Sequence, residues 1–255
     1  MLIFLIFIFV AGLCVGSFLN VLIYRLPRGK PVIFGRSFCP KCKRKIAWFD
    51  NLPLLSFFLL KGRCRSCQQK ISWRYPLVEL LTGVLFVLEV SNLGNLSNLG
   101  ALGLNLVLIS SSIVIFFVDL ELQIIPDEIL IFDVLIAFFF LISQSRNILI
   151  SNLLVALLSA VFFLLLHLVT RGRGMGFGDV KLAFLIGLSL GFPKSILAFY
   201  LAFLTGALVG IILIVIGKAK FGRPIPFGPF LVLGLVTVLF MGEKLLWFLS
   251  QIYLK

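Results

Sequence analysis

Residues 174–181 read Gly-Met-Gly-Phe-Gly-Asp-Val-Lys, so three glycines and two apolar residues lead to a carboxylate, Asp179. An apolar stretch follows directly, which puts Asp179 at a membrane boundary or just inside it. An ionisable group at that depth is costly and usually has a partner or a function. The glycines leave room for a substrate backbone to approach the carboxylate. The structural alternative makes Asp179 the N-cap of the next helix. The octapeptide alone leaves both interpretations open.

The composition excludes a soluble domain. Hydrophobic residues make up 61% of the 255 residues, and Phe alone occurs 28 times. We therefore predict an all-α polytopic membrane protein with about eight transmembrane helices. The apolar segments lie at roughly 2–24, 76–92, 101–118, 127–142, 148–169, 180–191, 195–216 and 227–250. The segment 180–191 is short for a full crossing and is expected to be tilted, re-entrant or part of a water-filled site.

The first apolar run is expected to be a retained anchor rather than a cleaved signal peptide. It lacks a basic n-region and a small-x-small cleavage site, and it is long enough to span a bilayer. The sequence then predicts three regions: a first transmembrane helix at 1–24, a basic cytoplasmic loop at 25–75, and a transmembrane core at 76–255.

Positive charge is concentrated between the first two apolar segments. The net charge is +13, and the thirteen Lys and Arg residues between positions 25 and 74 are opposed only by Asp50. Basic loops stay cytoplasmic and are attracted to anionic headgroups, so we expect membrane lipids and no nucleic acid as partners. The N-terminus is then outside, and four loops are predicted to be cytoplasmic: 25–75, 119–126, 170–179 and 217–226.

Four of the five cysteines lie in the basic loop, as two C-x-x-C pairs separated by 21 residues. Such a pair turns both sulfurs towards one metal, and four thiolates complete a tetrahedral zinc site. Two disulfides are the alternative, but cytosolic thiols stay reduced. The spacing therefore predicts a structural, zinc-ribbon-like loop with four cysteine ligands. These ligands are Cys39, Cys42, Cys64 and Cys67.

A second carboxylate, Asp119, ends the third apolar segment on the same predicted side of the membrane as Asp179. Just downstream, Pro126 restarts a helix whose dipole accounts for Asp127 and Glu128. Asp119 has no such explanation. Two carboxylates at similar depth, one of them framed by glycines, suggest an aspartyl protease pair. In such a pair one carboxyl holds a proton while the other activates water.

Other polar residues in the apolar segments have structural explanations. Gly16 and Ser17 suit close helix contact, and Asn20 offers a hydrogen bond to another helix. Glu79 is expected to pair with arginines of the basic loop, and His167 to make a hydrogen-bonded helix contact rather than to catalyse.

A loop rich in proline and glycine, 222–230, precedes the last apolar segment. Its composition predicts a rigid, non-helical entry to that segment. The loop is expected at the depth of the two aspartates, which makes it a candidate substrate contact.

In combination these motifs resemble the bacterial type IV prepilin peptidases, which are GxGD-type membrane aspartyl proteases. The matching pieces run in family order over nearly the whole chain. They are GSFLNVLIYRLP (16–27), CPKC and CRSC (39–42 and 64–67), RYPLVELLTG (74–83), the Asp119–Asp127 segment, GMGFGDVKL (174–182) and PIPFGPFL (224–231).

The resemblance implies an activity that the residues alone do not. Asp119 and Asp179 would be the catalytic pair, facing the cytoplasm from the bacterial inner membrane. The substrates would be prepilin or pseudopilin precursors, cut after a glycine. Members with the cysteine loop also methylate the new N-terminus from S-adenosylmethionine, although no cofactor pocket can be placed from the sequence.

Two further classes of function remain. One is a presenilin-like or preflagellin-type protease without methylation, which the cysteine loop disfavours. The other is a non-enzymatic transporter or assembly scaffold in which the acids form an ion path. Loss of precursor cleavage on replacing either aspartate distinguishes the protease from the scaffold.

Overall fold

The computed structural model describes residues 2–32, 35–92, 98–172, 174–217 and 225–253. Within these residues the chain is helical, and its only β pairings are two isolated bridges, Phe38 with Lys45 and Arg63 with Lys70. The prediction of an all-α protein is therefore confirmed. The helices are α1 (Leu2–Arg25), α2 (Leu55–Leu59), α3 (Arg74–Asn92), α4 (Leu99–Leu122), α5 (Asp127–Gln144), α6 (Arg146–Val169), α7 (Phe177–Leu190), α8 (Lys194–Val215) and α9 (Gly228–Tyr253).

Each of the eight predicted apolar segments corresponds to one helix of 14 residues or more, and α2 is an additional short helix in the basic loop. In the described part of the chain, six helices are long and apolar enough to cross a membrane: α1, α3, α4, α6, α8 and α9. Helix α5 carries three acidic residues, and α7 has only 14 residues. The predicted weakness of segment 180–191 as a span thus agrees with the length of α7.

Helix α7 packs inside protein. Buried residues lie on every side of it, as expected for an enclosed helix rather than an amphipathic one. Gly187 lets α6 approach closely, since a Cβ there would lie 2.7 Å from the Ala156 Cα. Asn152 of α6 also donates a hydrogen bond of 2.9 Å to the Leu188 carbonyl. The helix whose first turn carries Asp179 is therefore in close contact with α6.

The chain divides into two compact units, Met1–Val114 and Ile115–Lys255, with the division inside α4. The first unit contains α1, α3 and the cysteine loop between them. The second contains the end of α4 and all of α5 to α9, and both predicted catalytic aspartates belong to it.

In the first unit, α1 and α3 cross at glycines. A Cβ on Gly12 would lie 2.7 Å from the Gly83 Cα, and one on Gly16 would lie 2.7 Å from the Glu79 Cα. Such backbone approach is how small residues drive helix association in membranes. Asn20 donates to the Tyr75 carbonyl at 3.1 Å, which confirms its predicted interhelical hydrogen bond.

The partners of Glu79 differ from those predicted. Its carboxylate accepts the Leu54 N–H at 2.9 Å and hydrogen-bonds to the Ser17 hydroxyl, rather than pairing with the arginines of the basic loop. Glu79 is buried, and Leu54, just before α2, directs its backbone N–H to the carboxylate. The residue therefore fastens this loop to α3.

Candidate active site and cysteine cluster

Asp119 lies in the last turn of α4 and is only 5% exposed. The N–H of Gly228, the first residue of α9, hydrogen-bonds to its carboxylate. A Cβ on residue 228 would lie 2.6 Å from Asp119 Oδ2, closer than non-bonded atoms approach. Glycine at 228 is thus what allows the backbone donor to reach the carboxylate.

Asp179 is the third residue of α7 and is 6% exposed. Its Oδ2 accepts the Gly176 N–H at 2.9 Å. The N-cap position belongs to Gly176, so the structural alternative, in which Asp179 itself is the N-cap, is wrong by three residues. The side chain instead reaches back to the cap backbone, which is the reciprocal half of a capping box. The carboxylate is thereby fixed at the positive end of a buried helix.

One apolar side chain, Ile125, lies between the segments that carry the two carboxylates. A Cβ on Gly178 would be 3.2 Å from the Ile125 Cβ, and a Cβ on Gly228 would be 3.2 Å from the Ile125 Cδ1. Both glycines therefore pack directly on this side chain. The structure brings Asp119 and Asp179 close enough to interact electrostatically. The two carboxylates, 60 positions apart, form a buried pair at adjoining helix ends.

His167, near the end of α6, supports the glycine-rich segment. Its Nδ1 hydrogen-bonds to the Met175 carbonyl at 2.8 Å, an arrangement that requires the proton on Nδ1. The imidazole also meets the Phe177 ring edge-on, with centroids 6.0 Å apart, and interacts electrostatically with Asp179. The predicted hydrogen bond is present, but its partner is the loop that precedes Asp179 rather than another helix.

A salt bridge that sequence reasoning missed joins the starts of α5 and α7. Lys181 Nζ lies 2.7 Å and 2.8 Å from the two carboxylate oxygens of Asp127. Asp127 and Glu128 lie in the first turn of α5, as predicted. The signal available in the sequence was a lysine two residues after Asp179, and it acquires a partner only when α5 and α7 pack together.

Aromatic rings support the entry to α9. The Phe227 ring packs against Phe203 with centroids 5.1 Å apart and against Phe230 at 6.2 Å. Phe163 of α6 stacks on Phe203 with centroids 5.9 Å apart and also meets Phe227 at 6.5 Å. The stretch 225–227 is non-helical, as predicted for the loop 222–230, but residues 228–230 already belong to α9, so that part of the prediction is wrong. Residues 218–224 lie outside the described part of the chain. This aromatic cluster holds Gly228 against Asp119.

The four loop cysteines converge in the first unit. The sulfurs of Cys39, Cys42, Cys64 and Cys67 all lie within 4.8 Å of one another, and none of them forms a disulfide. The two C-x-x-C turns share one backbone geometry. In the first, the Lys43 N–H donates to the Cys39 carbonyl at 2.8 Å, and in the second the Gln68 N–H donates to the Cys64 carbonyl at 2.9 Å. The two equivalent turns thus present four sulfur donors that can hold one metal ion.

The thiols differ in acidity. Backbone N–H groups of Cys67 and Ser66 lower the pKa of Cys64 to about 7. At Cys67 the Gln69 N–H acts in the same direction, but desolvation and the neighbouring thiols outweigh it and raise the pKa to about 11. A metal ion held by these sulfurs would displace the protons of the thiols, because a coordinating thiol is deprotonated.

Fold and site together define a multi-pass membrane protein with a buried aspartate pair and a separate four-cysteine cluster. Residues 10–93 match the Bacterial Peptidase A24 N-terminal domain, and residues 106–211 match the Type IV leader peptidase family. No solved structure matches the chain.

Relatives named prepilin leader peptidase/N-methyltransferase match over most of their length. The protein from Aeromonas salmonicida is 34% identical, with 96% of this chain and 94% of the relative covered. The one from Pseudomonas aeruginosa is 34% identical over 92% and 89%, and the one from Bacillus subtilis is 33% identical over 94% and 96%. The chain therefore belongs to the type IV leader peptidase family and is a multi-pass protein of the inner membrane.

Proposed function

We propose that this protein is a membrane aspartic endopeptidase that removes the leader of type IV prepilins or pseudopilins and then methylates the new N-terminus. The observation that carries the peptidase half is the buried pair of Asp119 and Asp179, each held by a glycine N–H. The names of the relatives support both halves.

In the proposed reaction the pair binds and activates one water molecule. Two adjacent carboxylates cannot both be ionised cheaply, so the pair shares one proton. The ionised carboxylate accepts a proton from water as it attacks the scissile carbonyl, and the protonated one donates to the carbonyl oxygen. The shared proton belongs to the pair and is not assigned to either aspartate. The backbone N–H donors keep both carboxylates oriented throughout.

The glycines on the site fit a peptide substrate. Gly176 and Gly178 precede Asp179 and have no side chains, so an extended backbone can approach the carboxylate.

The distribution of basic loops predicts that the N-terminus of this chain lies outside and that the aspartates face the cytoplasm. Precursors are cut at that face of the inner membrane.

The four-cysteine cluster is proposed to hold one structural zinc ion. Four thiols within 4.8 Å of one another match the zinc donor set, and four thiolates leave no position for water or substrate. The metal would hold together a basic loop that has little apolar core of its own. S-adenosylmethionine is the proposed methyl donor and supplies an activated methyl group.

Mass spectrometry of a co-expressed precursor tests both halves together. We expect the wild-type protein to convert the precursor to a species that lacks the leader and carries one additional methyl group. Asp179→Asn should leave the precursor intact, while the matched Glu121→Gln should behave as wild type. Cleavage without methylation would select a preflagellin-type or presenilin-like protease. An intact precursor with the wild-type protein would select the scaffold or transporter.

A further inference from the structure

A cavity of about 560 Å³ lies in the first unit, between the ends of α1 and α3 and the cysteine loop. Its volume is within the roughly 300–1,000 Å³ typical of small-molecule sites. Helix α1 lines it with one continuous face at helical spacing, Ser17, Asn20, Val21, Tyr24 and Arg25, and Arg28 lines it from the turn that follows the helix. All residues that line the cavity belong to the first unit, whereas the aspartate pair belongs to the second.

The deep wall of the cavity contains an acceptor that lacks a donor. Asn20 is 4% exposed, and its Nδ2 donates to the carbonyls of Gly16 and Tyr75. Those two bonds fix the amide, and Oδ1 is buried with no hydrogen-bond partner. An unpaired buried amide oxygen costs about 1–3 kcal/mol, so an arriving donor group regains that free energy. This oxygen indicates a ligand with an N–H or O–H group.

A carboxylate lies beside this amide. Glu79 is 8% exposed, lines the same cavity, and is held in place by the Leu54 N–H and the Ser17 hydroxyl. The buried guanidinium of Arg25 also lies on this wall, but it already donates hydrogen bonds to the carbonyls of Pro31, Gly35 and Arg36. The deep end therefore offers acceptors and negative charge, which suit a cationic group.

The outer part of the cavity has the opposite character. Its lining includes exposed basic side chains, among them Lys41, Arg44 and Lys70. The Tyr24 ring at the wall already attracts cations, with the Arg28 guanidinium 4.4 Å from its centroid. A ligand that fits this gradient carries positive charge and donors at one end and an anionic group that can reach the rim.

We infer that this cavity binds S-adenosylmethionine, with Asn20 and Glu79 receiving its cationic groups and the basic rim receiving its carboxylate. The inference rests on the proposed methylation and adds the location of the cofactor. The ligand carries an ammonium and a carboxylate on one carbon, a sulfonium nearby and an adenosine rich in hydrogen-bonding groups, so its amino-acid end would lie where the acidic wall around Glu79 meets the basic rim.

This location also assigns a task to the cysteine cluster. Cys39 and Cys64 both line the cavity, so a metal held by the four sulfurs would fix the wall facing α1. Removal of zinc should then weaken cofactor binding even though the metal touches no part of the cofactor. The peptidase pair lies in the other unit and has no such dependence.

Direct binding to the purified full-length protein in detergent tests the assignment. Isothermal titration with S-adenosylhomocysteine, and photo-crosslinking with methyl-tritiated S-adenosylmethionine followed by peptide mapping, both report binding without catalysis. Val21→Phe fills the cavity and should abolish binding. Glu79→Gln keeps the shape and the acceptor for Leu54 but removes the charge, and should weaken binding by about tenfold or more.

The matched control is Leu22→Phe, which adds a similar ring about 100° further round α1 and away from the lining residues. It should bind as wild type does. Zinc content and elution as a single species in detergent report that each variant is folded. Crosslinks that map only to residues 115–255, or Val21→Phe binding as tightly as wild type, would overturn the assignment.

Two further outcomes are separable. If inorganic phosphate titrates with the same heat and S-adenosylhomocysteine does not, the cavity is an anion site and the inference fails. If the wild-type protein binds neither S-adenosyl compound and leaves precursors unmethylated, it is the proposed methylation that fails. Binding of the cofactor elsewhere refutes only its location.

Discussion

The N–H of Gly228 hydrogen-bonds to the carboxylate of Asp119, and the two residues are so close that a Cβ at 228 would lie 2.6 Å from Oδ2. This contact joins the start of α9 to the end of α4 across 109 positions of sequence. It makes the aspartate pair dependent on a glycine that carries no chemistry of its own.

Gly228→Ala is therefore expected to abolish most precursor cleavage while the protein still inserts into the membrane. The added methyl group must displace either the Asp119 carboxylate or the α9 backbone, and both movements break the hydrogen bond. Precursor cleavage in detergent measures the effect. The control is Gly210→Ala in α8, where a Cβ would meet only Ile225 Cδ1, at 3.9 Å. Full activity of Gly228→Ala would show that the contact does not position the carboxylate.

Asp119→Asn and Asp179→Asn should each eliminate cleavage. An amide keeps a hydrogen bond but cannot share the proton of the pair or accept one from water. Ala at Glu121, Asp127 or Glu128 should leave most of the activity. The rate at which each variant cleaves a purified precursor measures these differences in activity. An inactive Asp127→Ala beside an active Asp119→Asn would move the first catalytic carboxylate to 127.

The salt bridge between Lys181 and Asp127 is expected to contribute little to the stability of the protein. Both side chains are partly exposed, and such pairs contribute about 0–1 kcal/mol. Lys181→Met and Asp127→Ala should each lower the midpoint of thermal unfolding by a few degrees at most, and the double variant should lose less than the sum. Strict additivity would mean that the two residues do not interact in the membrane.

Purified protein should contain one zinc ion per chain. Replacing any one of Cys39, Cys42, Cys64 and Cys67 with Ser should release it, because three thiolates bind zinc far less tightly than four. The exposed thiol of Cys14 in α1 is the internal control, and Cys14→Ser should retain the metal. Elemental analysis measures the content. Two disulfides in a metal-free wild-type protein would contradict the prediction.

The basic loops predict the orientation of the chain in the membrane, and labelling of intact cells with an impermeant maleimide tests it. Thr170→Cys, at the end of α6, should be protected, while Gln144→Cys, at the end of α5, should be labelled from outside. Both positions are exposed in the structure, so burial cannot explain a difference between them. The reverse pattern would place the aspartates on the outer side.

Local patterns were sufficient for several features because each depends on residues close in sequence. Hydropathy located the long helices, since an apolar run of that length has few other stable states in a bilayer. The C-x-x-C spacing predicted the cysteine cluster, because a tight turn sets the geometry of each pair. The distribution of charge predicts that Asp119 and Asp179 lie on one side of the membrane.

Only the tertiary structure decided which apolar surfaces face protein and which face lipid. Helix α7 is enclosed by its neighbours, but lipid and protein interior are equally apolar, so composition does not distinguish the two environments. The partners of Glu79, the position of Ile125 between two glycines, and the unpaired oxygen of Asn20 likewise depend on how distant helices pack. The chemistry of each residue is local, whereas its partner is set by the fold.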